Sequence, residues 1–178
     1  MKDNEIYDFV YQFLSIKNIG PVQTNKVLST VSEPIEPYSL KSQLKLSLKP
    51  EQQIEFEIAP SVLDNLNSKF DVNFLLMTNH DYPSELKKCL STNIPPILSY
   101  IGNIELLKKR KVGFSGSRKV SDKGIDVTKD CVEQLTNKDV SIVSGYAAGV
   151  DLEAHYRALS NGGSTIIILP EGINSFRI

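Results

Sequence analysis

Residues 111–121 read KVGFSGSRKVS, and the fold turns on the strand and helix that this stretch joins. Val112 and Phe114 alternate as in a strand. The chain then leaves through Ser115, Gly116 and Ser117, places Arg118 and Lys119, and reaches Ser121, a good helix N-cap. Downstream, Ile125, Thr128, Cys131, Val132 and Leu135 recur along one helical face. The pattern then repeats in residues 140–151, VSIVSGYAAGVD: Val140, Ile142 and Val143 predict a strand, and Gly145 to Gly149 a second loop. A helix is expected from about Leu152 to Leu159, ended by Asn161-Gly162-Gly163, with Thr165 to Leu169 as a third strand. Strand, helix, strand, helix, strand is half of a doubly wound α/β sheet. Right-handed crossovers make the strands parallel and lay the helices over the sheet.

Upstream, Ile6, Phe9, Val10, Phe13 and Leu14 predict a first helix, broken by Ile16-Lys17-Asn18-Ile19-Gly20-Pro21. Val22, Val27, Leu28 and Val31 predict a second. This is the layout of a helix-hairpin-helix, with Asn18 where that hairpin more usually has glycine. Such a pair either holds a phosphate on its turn amides or only packs on a neighbour. Residues 33–60 are polar and punctuated by Pro34, Pro37, Pro50 and Pro60, and are expected to be connecting structure with a short helix within 50–59. A capped helix is expected over 61–70 and a strand over 72–77. A short helix through Leu86 and Leu90 and an edge strand after Pro95-Pro96 come next. The expected division is a helical region with linker over 1–60 and an α/β domain over 61–178.

With 178 residues, 40% of them hydrophobic, the chain can bury a core. A formal net charge of −1 gives no global attraction for polyanions, so an anion site must be local. Cys89 and Cys131 form no disulfide or C-x-x-C pattern, and two histidines, His80 and His155, exclude a His/Cys metal cluster. No leader or membrane span is evident, and the expectation is a soluble, cytoplasmic protein without a metal or cofactor.

Ligands of parallel sheets bind at the carboxyl edge. Three loops leave that edge, at Ser115 to Arg118, Gly145 to Gly149 and Pro170-Glu171-Gly172. Ser121 and Asp151 are expected to cap the two helices, so that helix amides face the loops as an anion cradle. Arg118 can grip phosphate oxygens in a bidentate fashion, with Lys119 as a second charge. Dinucleotides fit poorly, because the first loop lacks a third glycine and Gly145 stands where an acidic residue would hold a ribose. No nucleophile–base spacing is recognisable among Ser117, Asp151, His155 and Glu171, and His155 is expected to make a structural bond to a loop carbonyl.

The ordered series Asp81-Tyr82-Pro83, Pro95-Pro96-Ile97-Leu98, Gly102-Asn103 and Gly116-Ser117-Arg118 resembles the DprA/Smf DNA-processing family. So do Ser144-Gly145, Gly149-Val150-Asp151, Ala154-His155 and Gly162-Gly163. The resemblance runs from about residue 72 to the end. It implies a Rossmann-like domain preceded by a helix-hairpin-helix or SAM-like region. It also implies single-stranded DNA binding without catalysis, service to a RecA-type recombinase during DNA-mediated transformation, and a homodimer. By resemblance Gly116, Ser117 and Arg118 contact phosphates and the second loop, with Gly145, Tyr146, Gly149 and Asp151, belongs to the same pocket, which Lys119 and Ser121 join from the reading of the residues. Tyr146 is either a stacking platform for bases or a core residue.

Two departures stand out. Ala148 and Tyr146 replace an arginine and a leucine of the family's second loop, which removes one cation. The third strand lies close to Ile178, so the sheet is expected to be incomplete, from a truncated product, a fragment or a chain completed by a partner. Two other readings compete with DNA binding. One is a nucleotide sensor or an enzyme akin to the LOG-like phosphoribohydrolases, whose P-G-G-x-G-T loop Pro170 to Asn174 does not match. The other is a module that has lost function.

Overall fold

The structure is a computed structural model that describes residues 2–63, 71–170 and 172. The chain forms two compact units, Met1–Gly102 and Asn103–Ile178.

Unit 1 contains α1 (Lys2–Ser15), α2 (Pro21–Leu28), α3 (Pro37–Leu46), α4 (Pro50–Ile58), β1 (Asn73–Leu76), α5 (Ser84–Leu90) and β2 (Ile97–Tyr100). Ile6, Val10 and Phe13 line one side of α1 and meet Leu28, Leu40, Leu44 and Phe56 in one buried cluster. The Phe13 and Phe56 rings pack edge to face at 6.0 Å. In the turn before α2, Asn18 adopts φ +66°, the left-handed conformation that asparagine tolerates better than most residues. It therefore supplies the geometry expected of a hairpin glycine.

Residues 33–60 correct the expectation of connecting structure. Pro37 and Pro50 each stand in the first turn of a helix, where a missing N–H costs nothing and a fixed φ helps. Helix α3 buries Leu40 and Leu44 and α4 buries Phe56, with Leu48 buried in the turn between them. β1 and β2 pair antiparallel, with Leu75 opposite Leu98. Leu76 and Ile97 join the helical core, and for that reason the units divide after Gly102 rather than near residue 60. Of the helix expected over 61–70, residues 64–70 lie outside the described residues.

Unit 2 contains β3 (Lys111–Gly113), α6 (Asp122–Thr136), β4 (Ser141–Ser144), α7 (Val150–Ser160) and β5 (Thr165–Ile167). The sheet order is β3-β4-β5 and both pairs are parallel, with Val112, Ile142 and Thr165 in register. Two right-handed crossovers stepping the same way put α6 and α7 on one face. Val132, Ile142, Ala154 and Ala158 are buried between them, with Phe114 and Leu135 alongside. Alanines on α7 let it sit close to the sheet, and Arg157 pairs with Glu133 of α6 at the rim. Cys131 does not share the buried face of α6 but is exposed at its margin. Among the described residues β3 and β5 are the outer strands, and Ile168 just beyond β5 is exposed. No helix among the described residues is long and apolar enough to cross a membrane.

Candidate nucleic-acid interface

The first loop leaves β3 under tight control. The Phe114 N–H donates to the Val143 carbonyl at 2.8 Å, and the buried Ser144 hydroxyl donates to the Phe114 carbonyl at 2.8 Å. Ser144 is a site residue that sequence reasoning missed. The signal for it is a serine closing the apolar run Ser141-Ile142-Val143-Ser144. Beyond Phe114 the chain emerges, and Ser115, Gly116, Ser117, Arg118, Lys119 and Ser121 are all exposed.

Within that loop the Ser117 hydroxyl is turned back on the chain. It donates to the Lys119 carbonyl at 2.7 Å and accepts the Lys119 N–H at 3.1 Å. Ser117 therefore closes a small turn that carries Arg118 at its apex. Ser121 caps α6 as expected, its Oγ accepting the Gly124 N–H at 3.3 Å. The first-turn amides of Asp122 and Lys123 have no partner among the described residues. The same holds for the side chains of Arg118, Lys119 and Lys123. Among the described residues, three uncommitted cations and two free amides thus fall within the exposed stretch 118–123, against the single carboxylate of Asp122 in that turn.

The basic run Lys108 to Lys111, at the opposite edge of the sheet, behaves differently. Lys108 pairs with Glu105 at 2.9 Å and Lys109 with Asp139 at 2.6 Å. Lys109 also holds the Asp139 carboxyl below its ordinary pKa. Arg110 donates to the Lys138 carbonyl, and Lys111 to those of Leu107 and Lys109. These cations are committed within the fold, whereas those of the first loop are not.

The second loop does not form the expected cradle. Helix α7 begins at Val150 with Gly149 as N-cap, so Asp151 lies inside the first turn and makes no side-chain cap. The Val150 N–H donates to the Ser117 carbonyl at 3.2 Å, and the Leu152 N–H to that of Ala147 at 3.1 Å. Both amides are thereby occupied. Asp151 turns inward, with Oδ2 3.3 Å from where a Cβ on Gly145 would stand. Tyr146 is half-buried, at φ +65°, with its ring 5.9 Å from that of His155. The loop tip is Ala148, which is exposed.

His155 is 3% exposed, and its Nδ1 lies 2.6 Å from Thr165 Oγ1 rather than against a loop carbonyl. Thr165 Oγ1 donates to the Ile142 carbonyl, so Nδ1 carries the proton and Nε2 is a buried acceptor without a partner among the described residues. Burial pushes the imidazole below its ordinary pKa, with the Asp151 carboxylate pulling the other way. Gly116, Ser117, Arg118, Lys119 and Ser121 thus lie on an exposed loop, whereas Tyr146 and Asp151 are half-buried beside the buried His155. Glu171 and the third loop beyond Gly172 lie outside the described residues.

This is an α/β unit whose carboxyl edge presents an arginine turn braced by a glycine loop. The sequence profile of the DNA recombination-mediator protein A family matches residues 73–177, and the chain belongs to that family, the DprA/Smf proteins. It is 41% identical over 95 residues to the DNA processing protein DprA of Streptococcus pneumoniae, covering 53% of this chain and 33% of that protein. It is 28% identical over 152 residues to Protein Smf of Borreliella burgdorferi, covering 85% of this chain and 46% of that one. The X-ray structure of the Streptococcus pneumoniae DprA superposes with a TM-score of 0.73 at 26% identity, covering 97% of this chain and 59% of the other. The chain therefore spans about a third to a half of the length of these curated relatives.

Proposed function

We infer that the chain binds single-stranded DNA, with backbone phosphates running along the exposed edge from Ser115 to Lys123. Arg118 provides the bidentate contact, Lys119 and Lys123 add charge, and the free amides at the start of α6 receive one phosphate. The observation that carries this reading is the contrast between two basic clusters. Lys108 and Lys109 are paired with carboxylates and Arg110 and Lys111 are hydrogen-bonded to backbone carbonyls, while Arg118, Lys119 and Lys123 are exposed and uncommitted among the described residues. Unpaired cations on a chain of net charge −1 repel one another and gain most from a polyanion.

The reading is of a binding protein, not an enzyme. His155, the most plausible proton carrier near the edge, has its Nδ1 engaged with Thr165 and is buried between helix and strand. In the cytoplasm such a protein would hold incoming strands for a RecA-type recombinase and act as a homodimer, as family membership suggests. Anisotropy titrations with a labelled oligothymidine, run beside assays for nucleoside monophosphate binding and turnover, test the assignment. Saturable oligonucleotide binding without turnover supports it. Turnover of a mononucleotide, with no binding of the oligonucleotide, overturns it in favour of the nucleotide-enzyme alternative.

A further inference from the structure

We propose that the second glycine loop is a brace for the first, and that Gly149 is a positioning residue acting through Arg118. The inference rests on the reading of Arg118 as the phosphate ligand. Gly149 adopts φ +87°, a conformation that side chains disfavour. A Cβ there would stand 2.2 Å from the Ser117 carbonyl oxygen and 2.9 Å from Arg118 Cα. The space freed by the missing side chain is thus filled by the backbone that carries the arginine, and not left for a ligand. The adjacent Val150 N–H fixes the same Ser117 carbonyl at 3.2 Å.

Contact is made from the other side as well. A Cβ on Gly116 would lie 2.6 Å from Val150 Cγ2 and 2.8 Å from Val150 Cβ. Each loop therefore contributes a glycine that admits the other, and the two lock together at Ser117, Arg118 and Val150. Ser117 stiffens the result, because its hydroxyl bridges both the N–H and the carbonyl of Lys119. A displaced Ser117 carbonyl would move the whole Ser117–Lys119 turn, and the guanidinium with it. The two loops lie some thirty residues apart in sequence, so this coupling is invisible to any local motif.

A double-mutant cycle tests the brace on the full chain, with affinity for labelled oligothymidine as the readout. Gly149→Ala should weaken binding by an order of magnitude or more, with a salt dependence falling to that of Arg118→Ala. The Gly149→Ala/Arg118→Ala double variant should bind no more weakly than Arg118→Ala alone. Should Gly149→Ala fail to fold, Gly116→Ala provides an independent arm. Its loss of affinity should be restored by Val150→Gly, which removes the clashing side chain. Losses that add in full in the cycle, or no rescue by Val150→Gly, overturn the brace while leaving Arg118 as the phosphate ligand. An Arg118→Ala variant that binds like the parent overturns the phosphate reading, and the brace with it.

Discussion

At the scale of single residues, the site separates into groups whose roles are set by the partners their polar atoms already have. Ser121 was legible from sequence because an N-cap bond spans only three residues, here to the Gly124 amide. Asp151 was not, because α7 starts two residues earlier, with Gly149 as its N-cap and the Glu153 amide bonded to the Gly149 carbonyl. His155 gives a direct test of the buried group. Its imidazole titrates below the ordinary value in the folded chain, and near pH 6.5 when unfolded. The unfolded state therefore binds the proton more readily between those two values. The stabilisation is fully present above about pH 6.5 and is lost as pH falls below it. Urea midpoints measured from about pH 7.5 to about pH 5.5 should decline, and His155→Asn should flatten that decline. A midpoint constant across the interval contradicts the burial of a neutral imidazole.

Secondary-structure elements show a different balance. The βαβαβ order, the strands and both helices of unit 2 could be read from periodicity, since each carries its own apolar pattern and its own terminator. Helix α3 could not, because Pro37 looks like a breaker when it is in fact a helix start, whereas α4 falls where a short helix within 50–59 was expected. Their burial makes the correction testable. Leu44 is fully buried in the cluster that includes Phe13 and Phe56. Leu44→Ala should cost about 2–5 kcal/mol in denaturant unfolding, as expected for a leucine truncated in a packed core. A loss within about 0.5 kcal/mol, the range of surface substitutions, would show that residues 33–60 are not part of the core. Exposed Ile54 and Ile58 on α4 serve as controls of the same chemistry outside the cluster.

For the whole molecule, the ordered motifs of residues 72–178 carried the family resemblance, and the match over residues 73–177 establishes the membership. The division after Gly102 lay beyond sequence reasoning, because β1 and β2 are strands that pack on helices far earlier in the chain. The function inferred for the molecule depends on one unpaired cluster of charge, and salt exposes such a cluster most directly. Each phosphate neutralised on a single strand contributes about 0.7 to the slope of log affinity against log salt. The deciding measurement is an anisotropy titration of labelled oligothymidine at several salt concentrations, for the parent chain and for Arg118→Ala. Arg118→Ala should bind more weakly, with a slope shallower by about 0.7, if Arg118 holds a phosphate. Equal affinities and equal slopes for the two chains would contradict that contact.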